Sequence, residues 1–179
     1  MTKYFLKILV AGDGAVGKTT LLYRYVDGFF KDTRQMTIGI DFHTKTVELG
    51  NDSIQLLLND FGGQERFRFM LDQWVQGAQG ALVLFDITSM TSFVHLDQWI
   101  PLVRKQKKDL PVLLVASKCD LEDFAAVTDD KAQNIVAEHN LQGYIRTSSK
   151  LDFNVNYLFE LLILTILKKQ NEENKASAH

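Results

Sequence analysis

The chain is poor in cysteine and proline and has no surplus of either charge. It carries one cysteine, two prolines, and 20 Lys and Arg against 22 Asp and Glu in 179 residues, a formal net charge of −2. A lone thiol, Cys119, excludes an intramolecular disulfide, and the opening Met1-Thr2-Lys3-Tyr4 has no long apolar stretch with a cleavage site, so a reducing, cytoplasmic setting is expected. Near-neutral charge gives no broad attraction to nucleic acid or to an anionic membrane, and nucleic acid is not an expected partner. Charge or glycine cuts every apolar run short of the roughly 18 to 20 residues that span a bilayer. What is present is ordinary for one soluble globular domain: 46% apolar and 23% charged residues.

Short apolar runs at Tyr4 to Ala11, Gly80 to Phe85 and Pro111 to Ala116 suit strands buried on both faces, as in a parallel sheet. Helical spacing links Phe93, Leu96, Ile100 and Val103, with Pro101 inside as an expected kink, and again links Leu158, Phe159, Leu162, Ile163 and Ile166. Thr128 before Asp129 and Asp130 reads as a helix start, with Ala132, Ile135 and Val136 facing inward. Asp41 to Leu49 and Ser53 to Leu58, joined by Gly50-Asn51-Asp52, read as a hairpin and the single antiparallel element. The whole predicts an α/β fold: a six-stranded, mostly parallel sheet with about five flanking helices. The domain is expected over residues 1–169. From Lys168 the apolar periodicity stops, so residues 170–179 read as a polar, disordered tail.

Gly12-Asp13-Gly14-Ala15-Val16-Gly17-Lys18-Thr19 fits G-x-x-x-x-G-K-[ST] and lies between a buried strand and the helical stretch that begins at Thr19 and Thr20. Successive N–H groups from Asp13 to Gly17 can converge on phosphate oxygens at a helix N-terminus. Lys18 is placed to reach the β- and γ-phosphates, and the Thr19 hydroxyl is a natural magnesium ligand. This motif alone leaves ATP and GTP open.

Ser117-Lys118-Cys119-Asp120 follows the third apolar run, at a strand end where open α/β sheets bind ligands. The Asp120 carboxylate can accept from both N1–H and the 2-amino group of guanine, donors that adenine lacks. The stem of Lys118 can cover one face of the base, and the ring of Phe30 another edge or face. With these two motifs, and with Thr37-Ile38-Gly39-Ile40-Asp41-Phe42, Asp60-Phe61-Gly62-Gly63-Gln64-Glu65-Arg66-Phe67 and Thr147-Ser148-Ser149-Lys150, the chain resembles the Ras superfamily of small GTPases, most closely the Rab branch. The resemblance spans about Tyr4 to Lys168.

The resemblance implies a GTP/GDP switch with Mg2+. Thr37 would close on the metal and the γ-phosphate, and Asp60 would hold the metal through water. The Gly63 N–H would meet the γ-phosphate, Gln64 would position the attacking water, and Lys18 would support catalysis. The Ser149 N–H would meet the guanine carbonyl, within the segment that also holds Ser148 and Lys150. Two switches, around Thr37 and from Phe61 to about Val75, would be ordered by the γ-phosphate and would bind effectors. A GAP acting in trans is expected, because Arg34 stands where relatives carry an aromatic residue, and an exchange factor is expected too. The chain is expected to be a monomer.

There are departures. Ser117 replaces the usual Asn, and its shorter hydroxyl is expected to lose a hydrogen bond and speed nucleotide release. Phe61-Gly62 replaces Thr-Ala, giving a Gly-Gly-Gln run like that of Arf proteins. Phe42 and Trp74 keep two of three effector aromatics, while Asn59 holds the place of the third. No cysteine lies near the C-terminus, so prenylation is not expected on this sequence and membrane recruitment should be indirect. The mosaic would also suit an archaeal relative. Of the rivals, a GTP-binding scaffold without hydrolysis is opposed by Gln64 but left open by Phe61-Gly62. A P-loop kinase would want a lid and an acceptor site, and neither is evident. His43, His95 and His139 show no metal-ligand spacing, and Cys119, Trp74 and Trp99 read as packing residues before anything else.

Overall fold

A computed structural model of the chain describes residues 2–32, 37–63 and 71–177. Six strands form one sheet: β1 (Lys3–Gly12), β2 (Ile40–Leu49), β3 (Asp52–Phe61), β4 (Gly80–Asp86), β5 (Val112–Ser117) and β6 (Gly143–Arg146), in the order β2-β3-β1-β4-β5-β6. Only β2 and β3 pair antiparallel; every other neighbour is parallel. Leu49 pairs with Asp52, so the hairpin turns through Gly50-Asn51 alone. The strand β3 outruns its apolar stretch through Asn59, Asp60 and Phe61, because pairing with β1 continues to Val10 opposite Asp60.

The alternation along β1 sorts the core into two layers. Leu6, Ile8 and Val10 face α1 (Lys18–Asp27) and α6 (Val155–Ser177), meeting Leu22, Phe159, Leu162 and Ile166. There Tyr25 stacks on Phe159, with ring centroids 3.7 Å apart. Leu9 and Ala11 face the other way, joining Phe85, Trp99, Ile100, Val103 and Ala132. That layer is covered by α4 (Leu96–Val103) and α5 (Asp129–Glu138). Strands shielded on both faces need no polar alternation, which is why β4 and β5 read as unbroken Leu and Val runs.

Two expectations change. The periodic stretch around Phe93 is two helices, α3 (Met90–Val94) and α4, separated at His95; Pro101 lies within α4 and does not mark the break. The segment expected to be a disordered tail instead continues α6 to Ser177. Its Lys, Glu, Gln and Ala residues are good helix formers, and ion pairs anchor it: Lys107 with Glu173 at 3.3 Å, and Lys169 with Asp109. A short α2 (Leu71–Trp74) and a 3₁₀ turn at Cys119–Phe124 complete the described elements. None of the described helices is long and apolar enough to cross a membrane.

Candidate nucleotide-binding site

The loop from Gly12 to Gly17 joins β1 to α1. Gly17 caps the helix at φ 99, a backbone that a side chain would strain. Lys18 is 5% exposed, and its Nζ donates to the carbonyls of Gly12 at 2.9 Å and Asp13 at 2.6 Å. Burial pulls its pKa down to about 8, against the opposing pull of the Asp60 and Asp13 carboxylates. Phosphate oxygens in the loop would add the negative charge that such an ammonium favours. The Asp13 side chain turns away from this cradle. It accepts from the Trp99 indole at 2.8 Å and lies 2.5 Å from His95 Nδ1, tying the loop to α4 and the residue before it.

Beside Lys18, three oxygens from three segments converge. The Thr19 hydroxyl donates to Asp60 Oδ2 and lies 2.9 Å from the Thr37 hydroxyl, which is itself 3.4 Å from the same Asp60 oxygen. The other Asp60 oxygen, Oδ1, is buried without a hydrogen-bond partner among the described residues. Burial raises the Asp60 pKa, while the Thr19 hydrogen bond and Lys18 counter it. Thr37 reaches this place because the strand end has no side chain in the way. A Cβ on Gly62 would lie 2.5 Å from the Thr37 carbonyl, and the Gly62 N–H donates to Gly39 at 2.7 Å. Gly63 packs onto the phosphate loop, where a Cβ would lie 2.1 Å from the Gly14 nitrogen. The departure Phe61-Gly62 therefore has a packing basis: Phe61 is fully buried in the core, and Gly62 admits the Thr37–Gly39 backbone.

A cavity of about 400 Å³ opens at the other end of the site, lined by Gly17, Thr20, Phe30, Ser117, Lys118, Asp120, Ser149 and Lys150, with Asp32 and Leu121. Its polar groups are held by protein partners. The Ser148 hydroxyl donates to Asp120 Oδ1 at 2.6 Å and accepts from the Leu151 N–H at 3.1 Å. Lys118 donates to the Ala15 carbonyl at 2.8 Å and pairs with Asp86 at 2.6 Å, which fixes its stem along the pocket. The Ser117 hydroxyl lies 2.5 Å from the Val16 carbonyl and 2.9 Å from that of Phe85. So the short side chain still ties the strand end to the phosphate loop. Burial raises the Cys119 pKa, keeping a protonated thiol that suits packing.

Every predicted site residue but Gln64 falls in these two clusters or the loop between them; Gln64, like Arg34, Glu65, Arg66 and Phe67, lies outside the described residues. Sequence reasoning missed Asp86, His95, Asp32 and Leu121. Asp86 had a signal, a lone carboxylate ending an apolar strand next to the base-reading one. His95 meets Asp13 across 82 positions and left no local spacing, whereas Asp32 and Leu121 line the cavity beside the predicted Phe30 and Asp120. Of the effector aromatics, Phe42 and Trp74 stand together with centroids 5.3 Å apart, and Phe42 is 44% exposed. Asn59 is fully buried opposite Phe42 in the ladder, so it presents nothing at the surface.

A phosphate loop between β1 and α1, an oxygen cluster beside its lysine and a base-sized cavity at the C-terminal ends of the strands define a P-loop nucleotide-binding domain. Residues 7–168 match the Ras family. Rab-10 of Diplobatis ommata is 38% identical over 164 residues, 91% of this chain and 82% of that protein. Rab-8B of Homo sapiens is 34% identical over 180 residues, 98% of this chain and 86% of that protein. Rab-11C of Dictyostelium discoideum is 38% identical over 165 residues, 92% and 73%. The chain belongs to the Ras family, and it is a Rab-like small GTPase, a molecular switch that hydrolyses GTP.

Proposed function

We propose that this chain reads guanine through Asp120, holds the phosphates in the loop from Asp13 to Thr19, and switches at Thr37 and Gly63 to recruit effectors in membrane trafficking. The observation that carries it is the meeting of Thr19, Thr37 and Asp60 oxygens beside the buried Lys18, next in sequence to Gly17 and Thr20, which line the cavity that holds the braced Asp120. Three hard oxygen donors, one with a buried unpartnered atom behind it, fit a magnesium ion. When bound, the ion would neutralise phosphate charge.

Lys18 and the loop N–H groups stabilise charge on the transferred phosphoryl, and Gln64 orients the attacking water. Phe42 and Trp74 offer the aromatic part of the effector surface, and a GAP supplies an arginine in trans. The test is titration of GDP, ADP and XDP against the wild-type chain and Asp120→Asn. We expect GDP to bind the wild type far above ADP, and the variant to prefer XDP, a swing of about 10³-fold or more. Equal ADP and GDP affinity in the wild type would remove Asp120 as the reader. For Gln64, the expected mark is slower single-turnover phosphate release in Gln64→Leu at nearly unchanged GTP affinity; an unaltered rate takes it out of the mechanism.

A further inference from the structure

Arg24 sits in the last turn of α1, six residues after the phosphate-loop lysine, and among the described residues its guanidinium donates to three backbone carbonyls. Its Nε donates to the Ser149 carbonyl at 2.7 Å, one terminal nitrogen donates to the Lys150 carbonyl at 3.2 Å, and the other donates to the Gly28 carbonyl at 3.2 Å. The planar fork thus joins two consecutive carbonyls of one loop to the glycine cap from which the chain runs on to Phe30. Both ends of that bridge line the base cavity, through Ser149 and Lys150 on one side and Phe30 on the other. The opposite wall is fixed separately, by the bond from Ser148 to Asp120 and the pair of Lys118 with Asp86.

We propose that Arg24 is a positioning residue for guanine: it fixes the Ser149–Lys150 backbone against α1 and so sets the aim of the Ser149 N–H at the 6-oxo group and the residence time of the nucleotide. This rests on the guanine reading proposed above. A guanidinium suits the task because it serves several carbonyls at once in a fixed plane. A lysine there reaches one, and an alanine leaves the loop with the Ser148–Phe153 bridge and the bonds of the Ser148 hydroxyl to Asp120 and Leu151, none of which is made by Ser149 or Lys150. Arg24 touches neither Asp120 nor any phosphate-loop residue in these bonds, so its effect is confined to one edge of the base.

The experiment measures GDP dissociation, and the affinities for GDP, 6-thio-GDP and IDP, in the wild type, Arg24→Ala and Arg24→Lys, all with magnesium. Replacing oxygen by sulfur chiefly weakens the acceptor at position 6, whereas IDP lacks only the 2-amino group assigned to Asp120. We expect Arg24→Ala to release GDP about tenfold faster, as for loss of charge-assisted hydrogen bonds. Its preference for GDP over 6-thio-GDP should shrink toward unity while its preference for GDP over IDP stays at the wild-type value. Arg24→Lys should recover part of both the residence time and the 6-oxo preference. Unchanged release and ratios in Arg24→Ala overturn the proposal, and so does a parallel fall of both ratios, which marks a general loosening of the pocket. Failure of the guanine reading itself looks different: the wild type would show no preference for GDP over IDP.

Discussion

The two ends of the nucleotide site are built on opposite principles. At the proposed base end three side chains already have protein partners: Asp120 with Ser148, Lys118 with Asp86 and Ala15, Ser117 with Val16 and Phe85. At the phosphate end the charges are under-served. Lys18 rests on neutral carbonyls of its own loop, and two hydroxyls crowd one oxygen of Asp60 while its other oxygen is buried without a partner among the described residues. Base selection then depends on geometry that exists before the ligand arrives, because a desolvated carboxylate discriminates only if it is held in place. Phosphate and metal binding would depend on charge that the ligand brings to the buried Lys18 and the unpartnered Asp60 oxygen.

That contrast can be broken by single substitutions on each side. The largest effect should come from Lys18→Ala, which removes the one buried cation among the described residues of the phosphate end. We expect GDP, GTP and ADP all to bind about 100-fold more weakly, with the preference for guanine kept, as read by competitive titration. A selective loss of GDP over ADP would show that Lys18 also serves the base end. A much smaller effect should follow Ser117→Ala, which deletes one of several braces: GDP release about fivefold faster, measured by displacement of a fluorescent nucleotide. If Ser117→Ala weakens GDP as much as Lys18→Ala does, the braced end is no more redundant than the charged one and the contrast fails.

Much of this was legible in the sequence because motif and context coincided. The loop from Gly12 to Thr19 could be placed between a strand and a helix from the apolar run before it, and Asp120 from the run that ends at Ala116. What was not legible depends on contacts between segments far apart in the chain. Arg24 meets Ser149 across 125 positions, and Asp13 meets Trp99 across 86, so neither pairing leaves a local spacing to read. The closeness of the Val16 carbonyl to the Ser117 hydroxyl, across 101 positions, is likewise encoded by no local pattern. The tail was judged by loss of apolar periodicity, yet its helix is held by Lys169 and Glu173 against Asp109 and Lys107. The helical stretch around Phe93 hid its break because His95, which ends one helix and begins the next, is also the residue that turns toward Asp13.

The most direct measurement of the contrast is the ratio of ADP to GDP dissociation constants taken twice, once with magnesium and once after chelation. Removing the metal should weaken both nucleotides, because Thr19 and Asp60 lose the ion they are proposed to hold, while Asp120 and its braces are untouched. The account predicts that both constants rise together and the ratio stays the same. A ratio that collapses toward one without magnesium would contradict it, showing that the base end is assembled by the ligand and metal and not built in advance.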